Sequence, residues 1–176
     1  MNWKGRLVQA GREMLEKKLT VETWGNLSLR DPDTGFVYLT PSAIPYHTIT
    51  EEDVVVLDPE GNLVEGGRRP TVEKEMHLGL YRMRPELNAV IHTHPVHSQV
   101  FAVLRRPIPP IMDEAAQVIG GTVLVADYAL PGTKELADNV CRAMEGRVRA
   151  CLMANHGAVC VGRAWNRPSK SVPYWK

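Results

Sequence analysis

The chain has no apolar run approaching the length of a membrane span, which argues against a helical membrane protein. Cysteine is scarce: Cys141, Cys151 and Cys160 make an odd number with no Cys-x-x-Cys pair. That argues against a disulfide framework and for a reducing cytoplasm, with all three thiols acting as small buried hydrophobes. Charge of one sign is also missing. The net charge is +1, so nothing points to nucleic acid or to an anionic membrane surface as a partner. The opening Met1-Asn-Trp-Lys-Gly-Arg6 has no hydrophobic segment, and no secretory leader is expected there. Internal repeats and low-complexity stretches are absent. What remains is an ordinary globular composition, 44% hydrophobic and 23% charged over 176 residues, enough for one domain with a proper core.

Hydrophobic periodicity divides the chain into alternating elements. Residues 3–18 place Trp3, Leu7, Ala10, Met14 and Leu15 near one helical face. Thr23 to Arg30 passes from a loop into an alternating strand. The turn Asp31-Pro-Asp-Thr-Gly35 then leads to a return strand, Phe36 to Leu39. Val54 to Leu57, followed by Asp58-Pro-Glu-Gly-Asn62, reads as a second hairpin. Residues 72–83 fit a helix stopped by Arg84-Pro85. Strands are expected at 88–93, 122–126, 150–154 and 158–161, and helices at 96–104 and 134–144. Hairpins interleaved with helices predict an α/β protein with a mixed, largely antiparallel sheet. The last thirteen residues, 164–176, have neither period and crowd two prolines and two tryptophans into a polar run. For one codon choice, reading that tail two bases later gives Leu-Glu-Gln-Ala-Phe-Lys-Val-Cys-Thr-Val-Leu-Glu, an amphipathic helical pattern. The expected organisation is therefore a domain over 1–163 with an atypical tail over 164–176, read as frameshifted.

The most informative residues are His92 and His94 on the apolar strand Asn88-Ala-Val-Ile-His-Thr-His-Pro95. Side chains at i and i+2 of a strand share a face, so two imidazoles stand together where Pro95 ends the strand. They are either half of a metal site, or one buried histidine and one surface histidine. Asn155-His156-Gly157, after another apolar strand, adds a third imidazole, with Gly157 allowing a turn of unusual φ. His97 could mimic a ligand, but a helix starting at Val96 would make it peripheral. Glu73 opens a helix, where the helix dipole favours a carboxylate for its own sake and Glu75 would serve as well. Only if that helix start faces the histidines does Glu73 become a ligand or a base. Imidazole with carboxylate suits Zn2+ or another divalent metal. The small loops at Gly25-Asn26, Ser42-Ala43 and Thr71-Val72 are rich in backbone N–H groups and could cradle a phosphate, although each alone is more often a turn.

These stretches together resemble the class II aldolase/adducin family. The resemblance runs through Thr23-Trp-Gly-Asn-Leu-Ser-Leu-Arg30, Leu39-Thr-Pro-Ser-Ala-Ile-Pro-Tyr46 and Glu65-Gly-Gly-Arg-Arg-Pro-Thr-Val-Glu73. It continues through Ala89-Val-Ile-His-Thr-His-Pro-Val-His97, Pro131-Gly-Thr133 and Asn155-His-Gly157, about residues 5–163 in all. It implies a three-layer α/β/α sandwich with metal ligands Glu73, His92, His94 and His156. Glu73 would also leave the metal to act as general base and acid. Gly25, Asn26, Ser42, Ala43, Thr71 and Val72 would line a phosphate pocket. The implied activity is aldol cleavage of a sugar phosphate, a ketose 1-phosphate, to dihydroxyacetone phosphate and an aldehyde through a metal-stabilised enediolate. The implied assembly is a homotetramer with sites at subunit borders.

The chain departs from the family in three places. Thr71-Val72 stands where the aldolase offers two serines. Asp113 and Glu114 stand in the Ile108 to Glu114 region, which would hold a catalytic tyrosine donated by a neighbouring subunit. The family's C-terminal helices, with a further tyrosine, have no counterpart in the tail. Within the family, dehydration of methylthioribulose 1-phosphate or cleavage of a 5-deoxypentulose phosphate is the alternative. A 4-epimerase is disfavoured, because relatives of that type resemble an Asp at the position of Glu73. Outside the family's catalytic members, a noncatalytic adducin-like module would not need four ligands, and a metallohydrolase would not need a phosphate pocket.

Overall fold

The computed structural model describes residues 1–163. The tail 164–176, and with it the shifted-frame reading, lies outside the described residues. The first helix, α1 (Trp3–Glu16), starts where the Asn2 side chain accepts the Gly5 amide at 2.9 Å, a standard N-cap. It buries Leu7, Val8, Ala10 and Met14 on one face. Strands β1 (Asn26–Arg30), β2 (Val37–Leu39), β3 (Val55–Leu57) and β4 (Leu63–Glu65) follow as successive antiparallel neighbours. Helix α2 (Lys74–Met83) stops before Pro85, because the residue ahead of a proline is driven out of the helical region. Then come β5 (Ala89–Thr93), α3 (Val96–Leu104), α4 (Asp113–Ile119), β6 (Val125–Ala126), α5 (Lys134–Ala143), β7 (Ala150–Met153) and β8 (Ala158–Gly162).

Among the described residues, eight strands form one sheet in the order β4-β3-β2-β1-β5-β8-β7-β6. Every pairing is antiparallel except β6 with β7. Alternation along each strand divides the core in two. Val37, Leu39, Val90, Cys151, Met153, Val159 and Val161 pack with α2 and α5 on one face. Leu27, Leu29, Ala89, Ala150, Leu152 and Ala158 pack with residues of α1, α3 and α4 on the other. The result is the expected three-layer sandwich around a mixed, largely antiparallel sheet.

Most predicted elements lie within a residue or two of the observed ones. The strand expected over 122–126 shrinks to Val125–Ala126, because Val123 instead forms an isolated bridge with Ile108. Helix α4 has no counterpart in the sequence reading. It is seven residues long and buries only Ile119, so it carries too little apolar periodicity to be seen.

Candidate metal centre

Three neighbouring strands bring the site together. In the sheet, Asn26 of β1 stands opposite His92 of β5, and His92 opposite Val159 of β8. His94 follows the end of β5, where its backbone amide donates to Leu19 O at 2.9 Å. His156 sits in the β7–β8 turn, with its carbonyl accepting from Gln99 Nε2 of α3 at 3.0 Å. The ligand-capable atoms of His92, His94 and His156 lie within 4.8 Å of one another. His92 Nε2 and His94 Nε2 are 2.9 Å apart. His92 Nδ1 lies 3.0 Å from the Ala158 carbonyl, so Nδ1–H donates there and Nε2 keeps its lone pair facing the cluster.

Glu73 joins them from the residue just ahead of α2. It is 4% exposed, with Oε2 3.3 Å from His92 Nε2 and Oε1 3.7 Å from His156 Nε2. Glu75, one residue into the helix, instead meets Lys74 and Arg82 at the surface, which is the helix-start role considered for either glutamate. His97, in the first turn of α3, is exposed and outside the cluster.

The residues fit a divalent cation. Among the described residues, the buried side-chain polar atoms left without a hydrogen-bond partner are Glu73 Oε1 and His156 Nδ1, both in this cluster. Orphaned buried polar atoms are costly, and a cation beside Glu73 Oε1 would offset that cost there. Burial lowers the pKa of His92 and His94 to about 3, helped at His92 by His156 and at His94 by His92 and His156. His156 is lowered by burial against the opposing pull of Glu73. Neutral imidazoles are the metal-binding form.

Gly157 is needed for a different reason from the one its sequence suggests. The left-handed residue of this turn is Asn155, with φ 55°, and Gly157 is not in that region. A Cβ on Gly157 would stand 2.5 Å from Thr93 O, 2.9 Å from His94 Cδ2 and 3.0 Å from His92 Cε1. Glycine is required there for space, as the floor beneath two imidazoles.

The six loop residues lie as follows. Gly25 has φ 72° and would place a Cβ 2.5 Å from His92 O, so it packs directly on the end of β5. The loops at 42–43 and 71–72 run side by side, tied by Ser42 N to Arg69 O at 2.9 Å and Thr71 N to Thr40 O at 3.1 Å. Ala43 is left-handed, and Val72 is exposed with Gly132 packed against its backbone. Thr71 is buried, and its hydroxyl accepts the Glu73 amide at 3.4 Å. Asn26 is buried and its side chain points to Glu73, donating from Nδ2 to Oε2 at 2.8 Å.

Behind Asn26 is a polar group that the sequence reading does not contain. His77 is fully buried, between Asn26 Oδ1 at 2.5 Å and Ser28 Oγ at 2.7 Å, and Ser28 Oγ meets Tyr81 OH at 2.8 Å. Burial lowers the pKa of His77 to about 3. Two spacings signal it. Glu73 and His77 are one helical turn apart, and Asn26 and Ser28 are i, i+2 polar residues inside an apolar strand.

A triad of imidazoles beside a buried carboxylate, at the ends of central strands of an α/β/α sandwich, defines a divalent-metal site. The profile of the "Class II Aldolase and Adducin N-terminal domain" family matches residues 5–168. A 5-deoxy-D-ribulose 1-phosphate aldolase of Bacillus thuringiensis serovar kurstaki is 39% identical over 153 residues, covering 87% of this chain and 71% of that protein. An L-fuculose phosphate aldolase of Escherichia coli K12 is 36% identical over 154 residues, covering 88% and 70%. A solved structure described as L-fuculose 1-phosphate aldolase superposes with a TM-score of 0.89 at 44% identity, covering 94% of this chain and 77% of that one. The chain belongs to the class II aldolase and adducin N-terminal domain family. Family and triad together make it a metal-dependent lyase of the class II aldolase type.

Proposed function

We propose that this enzyme reversibly cleaves a ketose 1-phosphate of the L-fuculose 1-phosphate kind to dihydroxyacetone phosphate and an aldehyde. The observation that carries the reading is the Glu73 carboxylate, buried against the triad with one oxygen unpartnered. Glu73, His92, His94 and His156 would hold the cation, proposed as zinc because imidazole and carboxylate donors suit it. A divalent cation in that place supplies Lewis-acid stabilisation of negative charge developing on a carbonyl oxygen. In the synthetic direction Glu73 takes the α-proton of dihydroxyacetone phosphate, and in cleavage it returns that proton. The loops at Gly25-Asn26, Ser42-Ala43 and Thr71-Val72 would line the phosphate pocket, with the Ser42 and Thr71 amides already donating between the loops, and would fix the reacting carbon beside the carboxylate. The Trp24 ring lies 5.6 Å from that of His94 and is about half exposed.

Cleavage of 5-deoxyribulose 1-phosphate is the second reading, favoured by the 39% identity to the Bacillus enzyme. Both substrates share the dihydroxyacetone phosphate half, which is the half the named residues address. Side-by-side turnover of the two ketose phosphates decides between them. For the shared chemistry, Glu73→Gln is expected to retain much of the metal and to lose solvent exchange of the dihydroxyacetone phosphate α-proton by about 100-fold or more. Unchanged exchange removes Glu73 as the base.

The proposed assembly is a homotetramer. Helix α3 begins two residues after His94 and leaves Val96, Val100, Val103 and Leu104 exposed. Covering that face with a second copy would place a subunit border beside the site. Light scattering on the purified protein reads the mass. A monomer at micromolar concentration would overturn the assembly but not the chemistry.

A further inference from the structure

We propose that His77 is a positioning residue, whose Nε2–H tautomer fixes the Asn26 amide and thereby leaves Glu73 Oε1 as the atom that carries the transferred proton. The inference rests on the reading of Glu73 as the proton-transferring group. It arises from the direction of the buried hydrogen bonds rather than from any one of them. An ionised carboxylate can only accept, so the Asn26 group 2.8 Å from Glu73 Oε2 must be its NH2. Asn26 Oδ1 then faces His77 Nε2 at 2.5 Å and requires a donor, which places the ring proton on Nε2. A neutral imidazole has one N–H, so His77 Nδ1 is an acceptor and takes the Ser28 hydroxyl proton across 2.7 Å. Ser28 Oγ is free to accept from Tyr81 OH at 2.8 Å, and that hydroxyl also lies 3.1 Å from the Ser28 carbonyl.

Every link from Ser28 through His77 and Asn26 to the carboxylate therefore has one donor and one acceptor, with the single Tyr81 hydroxyl proton shared between Ser28 Oγ and the Ser28 carbonyl. The reverse polarity would aim Asn26 Oδ1 at a carboxylate oxygen with no proton between them. Such chains strengthen each other in a buried setting, and a half-satisfied one is costly. The sheet and helix hold the parts rigidly. Asn26 and Ser28 share one face of β1, and His77 and Tyr81 one face of α2. The asymmetry at the end of the chain is the functional consequence. Glu73 Oε2 is engaged by Asn26, whereas Oε1 has no hydrogen-bond partner and is the open basic position.

The test begins on the metal-free protein. Two-bond 15N–1H correlation of the histidine rings at neutral pH should show His77 protonated on Nε2 and bare on Nδ1; an Nδ1–H tautomer overturns the proposal. In the zinc-loaded protein, α-proton exchange of dihydroxyacetone phosphate is compared for His77→Phe and His77→Gln, with metal content measured in parallel. His77→Phe should lower exchange turnover by about 10- to 100-fold, with metal content retained and half-saturation for dihydroxyacetone phosphate within about twofold. His77→Gln, whose amide can still donate to Asn26 Oδ1, should recover most of the loss. Parental exchange in His77→Phe, or equal losses in both variants, overturns the role. If His77→Phe does not fold, Ser28→Ala replaces it. That variant removes the donor to Nδ1 and should raise the Nδ1–H population and lower exchange, whereas an unaltered tautomer with parental exchange overturns the role. The Glu73→Gln enzyme run alongside separates the two readings. Exchange surviving there sinks the base assignment, and exchange lost there but intact in His77→Phe sinks only the positioning.

Discussion

Single atoms decide this site. Gly157→Ala adds one methyl, and that methyl falls on Thr93 O and on two imidazole rings. The turn must open or the histidines must tilt, so metal affinity should fall by about 10- to 100-fold, with some loss of stability. Titration of the stripped protein with zinc against a competing chelator measures it; affinity within twofold of the parent would show that the turn yields without cost. His94→Ala, which removes an imidazole outright, should abolish stoichiometric uptake by elemental analysis. Legibility at this scale followed the local rules. His92 and His94 could be paired because a strand's two-residue period needs no tertiary knowledge, and the third imidazole stood out beside a glycine. The role of Gly157 could not be read, because the atoms that crowd it belong to Thr93, His92 and His94, more than sixty positions earlier. His77 stayed hidden because a histidine within an amphipathic helix resembles any other buried residue until its partners on β1 are known.

At the scale of elements, one side chain gathers several carbonyls of the connection from α2 to β5. Arg30, the last residue of β1, donates to Tyr81 O at 3.2 Å and to the carbonyls of Pro85 and Leu87, with its guanidinium 4.9 Å over the Tyr81 ring. Arg30→Ala strands those carbonyls and is expected to cost about 1–3 kcal/mol of stability while leaving zinc stoichiometry unchanged. Chemical denaturation checks the first part and elemental analysis the second. Helices and strands with strong periodicity were legible to within a residue or two. α4 was not, because seven residues with one buried side chain carry no signal above that of a loop. The two hairpins, β1 with β2 and β3 with β4, followed from their turn chemistry, since Asp31-Pro-Asp-Thr-Gly35 and Asp58-Pro-Glu-Gly-Asn62 each reverse the chain, whereas the pairing of β2 with β3 spans a longer connection that no turn signals.

For the whole molecule, the buried imidazoles tie folding to pH. His77, His92 and His94 are held down to about 3 in the folded protein and would titrate near 6.5 when unfolded. Between those values the unfolded chain binds more protons, so stability rises with pH across that window. The contribution is complete above about 6.5 and is lost as pH falls toward 3. Metal-stripped protein should therefore unfold at lower urea at pH 5 than at pH 7, a range above the carboxylate titrations. Equal midpoints would mean that the rings are solvated. Convergence of Glu73 and three histidines is a property of the assembled sheet. No window of the sequence contains it, so the family likeness suggested it before any spacing could.

The pairing of β1 with β5 sets Asn26 level with His92 and turns Leu27 and Leu29 to the opposite layer. A strand slipped by one residue exchanges its two faces. One amino acid inserted or deleted between Gly25 and Arg30 would then present leucine to the carboxylate and bury asparagine in the aliphatic layer. The proposed positioning of the carboxylate would be lost although all of the metal-facing groups were still encoded, which makes strand alignment a component of this centre.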